Sequence, residues 1–136
     1  MKTVSVDIGK LILRLGIGGL MFFHGINKIV YGFDVIRSLL VSKGIPEVLW
    51  IGAFIGEVIA PIFVVIGFLT RISSLLIFIT MTFSVFLAYY PGVFNLGKGG
   101  APVIELNLLY AISSLTIFLI GSGRLSVYKR GNSILS

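Results

Sequence analysis

The chain contains no cysteine. That excludes disulfides, thiolate metal sites, iron–sulfur clusters and cysteine nucleophiles together. It has a single histidine, too few for the paired ligation of a membrane haem within one chain, so no metal site is expected. Charge is scarce. Asp, Glu, Lys and Arg make up 12% of the 136 residues, about half the usual ~25%. No catalytic triad or nucleotide motif is present. The run Gly97-Lys98-Gly99-Gly100 lacks the Gly-Lys-Ser/Thr ending of a phosphate loop. Apolar residues, by contrast, are abundant. They make up 57% of the chain, and mean hydropathy is +1.09. This excludes disorder and argues against a soluble globule, whose large surface needs more polar cover at this size. The length suits one domain.

Four apolar runs are long enough to cross a bilayer core, which takes about 20 helical residues. They span residues 11–30, 48–69, 72–90 and 101–121. The runs are continuous and not alternating, so helices are expected. The fold class is therefore all-α, a membrane four-helix bundle. Arg14 and His24 interrupt the first run and no small-x-small cleavage site follows, so it is read as a mature helix and not a signal peptide. The distribution of basic residues places both termini in the cytoplasm. Lys2, Lys10, Arg71, Arg124, Lys129 and Arg130 fall on the inner side; Arg37, Lys43, Lys98 and Lys28 fall on the outer side. The net charge of +6 then reads as topology signal and attraction to anionic lipid, with no nucleic-acid partner implied.

Between the first two runs, Phe33, Ile36, Leu39 and Leu40 share one side of a short helix, with Asp34 near its start and Gly44 and Pro46 beyond its end. Such a segment lies in the membrane interface. Trp50, Tyr89 and Tyr90 sit at span ends, where an aromatic belt belongs. Gly52, Gly56 and Ala60 form a small-residue stripe suited to close helix packing.

Ionisable groups inside spans are costly and are functional or paired. The candidates are Arg14, His24, Lys28, Glu57 and Glu105. At 100° per residue, Arg14, His24 and Lys28 fall within roughly 80° of one another on the first helix. Depth then suggests two meetings: Glu105 with Lys28 and His24 in the outer half, and Glu57 with Arg14 deeper. Asn27 and Asn107 join this polar set. Pro61 frees the carbonyl four residues earlier, that of Glu57, and adds an acceptor beside the buried carboxylate. These five residues are the candidate lining of an intramembrane polar pocket.

Several segments resemble the DoxX family. They are Arg14-Leu15-x-x-Gly18, Phe23-His24-Gly25-x-x-Lys28, Phe33, Lys43-Gly44-Ile45-Pro46, Glu57, Gly67-Phe68-Leu69-Thr70-Arg71, Glu105 and Gly121-x-Gly123-Arg124-Leu125-Ser126. The ordered set spans about residues 9–126. The resemblance implies a four-helix fold in the inner or plasma membrane. It also implies a role as an accessory or anchoring subunit of a quinone-linked redox complex, not catalytic alone. Partners would be the bilayer, other membrane or soluble redox proteins, or further copies of the chain. A quinone is compatible with the residues, since it needs only an apolar slot and one or two hydrogen-bond partners. Two other classes stay open. One is a small-molecule or proton carrier, suited by midplane charges. The other is a structural module whose charges only fix packing.

Overall fold

The computed structural model describes residues 2–127, without the side chain of Lys2. Lys129 and Arg130 lie outside the described residues. Five helices follow one another: α1 Lys2–Tyr31, α2 Asp34–Ser42, α3 Glu47–Ile66, α4 Thr70–Tyr89 and α5 Glu105–Ile120. Among the described residues, α3 and α4 are long and apolar enough to cross a membrane; α5 is apolar but shorter. In their most apolar stretches only 33% and 28% of residues are buried. The core helix of a soluble protein is mostly enclosed. Here Ile12, Leu20, Phe23, Ile79, Ile112 and Leu119 all point outward, an apolar exterior suited to lipid.

Local chemistry sets the boundaries. α3 stops at Gly67, whose φ of 77° is the left-handed conformation that ends helices. The N–H of Phe68 donates to the Phe63 carbonyl at 2.9 Å, and that of Gly67 reaches the Val64 carbonyl at 3.2 Å. This double closure satisfies part of the helix end. Leu69, also left-handed at φ 44°, turns the chain directly into α4. The link is thus 67–69, a little earlier than the Thr70-Arg71 break expected from hydropathy. α2 forms where amphipathicity placed it, and Gly44 adopts φ 69° after it. Leu40 is its buried anchor.

The fourth run is the main departure. Residues 101–104 are not helical, and α5 opens at Glu105. Pro102 pairs with Leu96 in an isolated antiparallel bridge, and the Pro102 carbonyl accepts from the Glu105 N–H at 2.9 Å. A proline there holds the backbone in a turn, and helix begins only after it.

Within α3 the winding changes three times. It opens as a 3-10 turn at Glu47–Leu49, becomes α-helical, widens to a π turn at Ile55–Ile59, and resumes as α-helix at Ala60. Glu57 is at the centre of the π turn. Glycines let neighbouring helices approach it. A side chain at Gly25 of α1 would collide with the Glu57 carbonyl oxygen, and one at Gly18 would come within 2.9 Å of the Pro61 carbonyl. Gly56 packs on Thr80 of α4 in the same way. The core of Met21, Ala60, Val64, Ile77, Met81 and Ile117 fills the space between these contacts.

Candidate functional site

Arg14 and Glu57, expected to meet, do not. Arg14 is 1% exposed and is bound by backbone. Its Nε donates to the Val64 carbonyl at 2.9 Å and Nη2 to that of Val65 at 2.9 Å. Nη1 donates to Ser122 at 2.6 Å and to Leu125 at 2.9 Å, again at carbonyls. Val64 and Val65 are in the last turn of α3, where orphan carbonyls carry partial negative charge. The guanidinium therefore ties the end of α3 to the segment after α5. Sequence reasoning weighed only charged side chains as partners; the helix-end carbonyls supply the counter-charge instead.

Near the opposite end, Lys28 of α1 forms an ion pair and hydrogen bond with Glu57 Oε2. The pairing expected for Lys28 was with Glu105. Glu105 stands apart because α5 starts at that residue, not four residues earlier. It is exposed, in the first turn, where a carboxylate complements the helix dipole. His24 is exposed on α1 and meets Tyr110 edge-to-face at 5.9 Å between ring centres. So three of the five candidates, His24, Lys28 and Glu57, converge, and Arg14 and Glu105 do not join them.

The pair lies between two cavities. The larger, about 360 Å³, is a cleft between α2, α3 and α4. Its walls are chiefly Leu, Ile, Ala and Phe side chains, with Leu40, Gly52, Leu76 and Phe83 among them, and Lys28 and Glu57 form its charged part. Gly52 has open space where a side chain would stand. This stripe member lines the cavity and does not pack against a helix. The smaller cavity, about 170 Å³, is lined by His24, Tyr89, Asn107 and Tyr110 among others, again with Lys28 and Glu57.

The ion pair is short of partners. Among the described residues, the side chains of Lys28 and Glu57 hydrogen-bond only each other. The Glu57 side chain is 4% exposed and that of Lys28 30%. A carboxylate has about four acceptor positions and an ammonium three donors, and buried polar groups are normally satisfied. Capacity therefore remains on both members. Ser84 and Thr80 add hydroxyls to the wall of the larger cavity. Asn107 donates to the Ser84 Oγ at 3.4 Å. Ser84, Thr80 and Tyr110 were not singled out from the sequence. Their only signal was polarity within apolar spans.

Two further clusters brace the end that bears the connections 32–46 and 90–104. Arg37 lies over the Trp50 ring at 4.7 Å and is 3.6 Å from both Asp34 and Glu47. Lys43 sits over Phe86 at 5.1 Å and reaches the Tyr90 carbonyl at 3.4 Å. These clamp α2 over the larger cavity. At the other end Arg124 pairs with Asp7 at 3.8 Å, and Lys10 donates to the Ile120 carbonyl at 2.6 Å. Lys10 and Arg124, both expected on one face, thus share one end of the bundle. No group of three or more His, Cys, Asp or Glu side chains with metal-binding geometry occurs among the described residues.

No curated protein and no solved structure matches the chain. The DoxX family matches residues 9–90, from the first turns of α1 to the end of α4. That stretch holds Arg14, His24, Lys28 and Glu57 and leaves Glu105 outside. With more than half of its length matched, and with an apolar exterior around a Lys28-paired, buried Glu57, this chain belongs to the DoxX family of membrane proteins.

Proposed function

We propose that the protein is an accessory or anchoring subunit of a quinone-linked redox complex in the plasma membrane, holding a neutral amphiphile in the larger cavity. In this reading α1, α3, α4 and α5 all cross the bilayer, with the Arg14 end and both termini facing the cytoplasm. One observation carries the ligand assignment: a buried carboxylate, paired with a half-buried lysine and with unused hydrogen-bonding capacity, borders an apolar cavity of about 360 Å³. Cavities of about 300–1,000 Å³ with apolar walls and a few convergent polar groups suit small-molecule ligands. The pair has no net charge. A charged ligand would bring surplus charge into a low-dielectric interior at high cost. A neutral head that accepts from Lys28 or donates to Glu57 carries no such penalty, and an isoprenoid tail matches the carbon-lined walls. Redox-complex membership rests on the family resemblance.

The test is titration of ubiquinone and menaquinone analogues into the purified protein in nanodiscs. Saturable binding is expected for the wild type. Glu57→Gln and Gly52→Leu should each weaken it at least about tenfold, or about 1.4 kcal/mol. His24→Ala should have a smaller effect, since His24 is not part of the larger cavity's wall. Equal, weak partitioning into all four proteins would overturn the reading.

A further inference from the structure

The two cavities have different characters and share a wall. Lys28, Glu57 and Ser84 border both. The larger is apolar. The smaller collects an imidazole, two phenols, an amide and a hydroxyl from His24, Tyr89, Tyr110, Asn107 and Ser84. Tyr89 is the last residue of α4, Asn107 lies in the first turn of α5, and His24 and Lys28 occupy the last two turns of α1. The smaller cavity is thus placed toward the loop-bearing end of the bundle, away from Arg14.

We propose that the smaller cavity is a one-sided water path through which Glu57 exchanges protons with bulk solvent at the loop-bearing end. At about 170 Å³ it has room for several waters, each taking about 30 Å³ of liquid volume, and its walls offer the two to four polar partners that each water needs. The titratable groups facing Glu57 across this space are Lys28 and His24 from α1, Tyr89 from α4 and Tyr110 from α5; α2 contributes only apolar residues to the other side. The step is a proton transfer with no electron moved. A proton from water lands on the Glu57 carboxylate, and the resulting neutral acid gives it up by the same route. A ligand head in the larger cavity, as in the reading above, would meet the same ion pair from the opposite side. The path itself does not depend on that reading.

The absence of native cysteine makes thiol accessibility a clean test. Ser84→Cys places a single thiol in the shared wall. Leu109→Cys places one on the exposed apolar face of α5. In proteoliposomes, a small charged methanethiosulfonate added at the loop-bearing side should modify Ser84→Cys at least tenfold faster than Leu109→Cys. Adding Asn107→Phe should slow that reaction, and adding Gly52→Leu should not. An apolar maleimide arriving through lipid should show the reverse dependence. Equal slow labelling of both single-thiol proteins, or faster labelling of Ser84→Cys from the Arg14 side, would overturn the path. Proton exchange is read separately by infrared spectroscopy of the wild type. Acidifying the loop-bearing side should raise a protonated-carboxyl band that Glu57→Gln removes. Its absence in wild type would overturn proton exchange at Glu57. Quinone titration is a separate measurement, so failure of the ligand reading and failure of the path are distinguishable.

Discussion

Arg14 and Glu57 are buried almost equally, 1% and 3% exposed, at different depths of the same bundle. Their surroundings are opposite. Arg14 meets four carbonyls from two parts of the chain and is not part of either cavity's wall. Glu57 meets one ammonium and is part of two cavity walls. A buried charge with four of its five donors engaged fixes a structure. One with spare capacity, beside free volume, is available for binding. Burial and charge alone do not separate these roles; the partner inventory does.

This contrast predicts the largest loss of stability at Arg14. Arg14→Met leaves four carbonyls without their charged donor. Hydrogen bonds to charged groups are worth about 1.5–3 kcal/mol each, so thermal unfolding in detergent should show a loss of at least about 3 kcal/mol. Arg14→Lys should recover only part of it, because one ammonium cannot reproduce the planar fork. Quinone affinity of any Arg14→Lys protein that folds should stay close to wild type, which would keep the two regions separate. Gly25→Leu comes next. It forces a side chain against the Glu57 carbonyl, and overpacking of this kind costs about 1–3 kcal/mol. The same unfolding assay checks it.

At the ion pair a double-mutant cycle sharpens the comparison. Glu57→Gln or Lys28→Met alone should lower stability by about 1–3 kcal/mol, since each leaves a partner without its bond. The double variant should lose less than the sum of the two, by at least about 0.5 kcal/mol. Strict additivity would mean that the pair is not coupled. The smallest stability effect is expected at Gly52. Gly52→Leu extends into open space and improves helix propensity, so stability should stay within about 0.5 kcal/mol of wild type. Ligand binding should nevertheless fall tenfold. A large stability loss at Gly52 would show that the cavity is packing space and not a site.

Much of the fold was legible in the sequence, for identifiable reasons. Continuous apolar runs marked the four longer helices, and the period of Phe33, Ile36, Leu39 and Leu40 with Gly44 beyond them marked α2. The helical arc of Arg14, His24 and Lys28 placed all three inward; Arg14 is buried, Lys28 is half-buried and His24 is exposed. The pairing was harder. Depth was counted from run ends, and the run at 101–121 includes four residues that Pro102 keeps out of the helix; that moved Glu105 to the wrong level. The partners of Arg14 were illegible for another reason. Backbone carbonyls at the end of α3 carry no residue signature, and they attract a cation as surely as a carboxylate does. Pro61 was read as a kink that frees the Glu57 carbonyl; what is observed beside it is a widened π turn at Ile55–Ile59.

That widened turn has a geometric effect of its own. A π turn accommodates one extra residue in a helix without breaking it, so everything before Ile55 is rotated by about 100° relative to an uninterrupted α-helix. The two halves of α3 thus answer to different neighbours. Trp50 is free to seat itself under Arg37 while Val64 and Val65 present their carbonyls to Arg14. Deleting one residue between 55 and 59 would couple these orientations again, and the upper and lower halves of the protein would compete for a single setting of the helix.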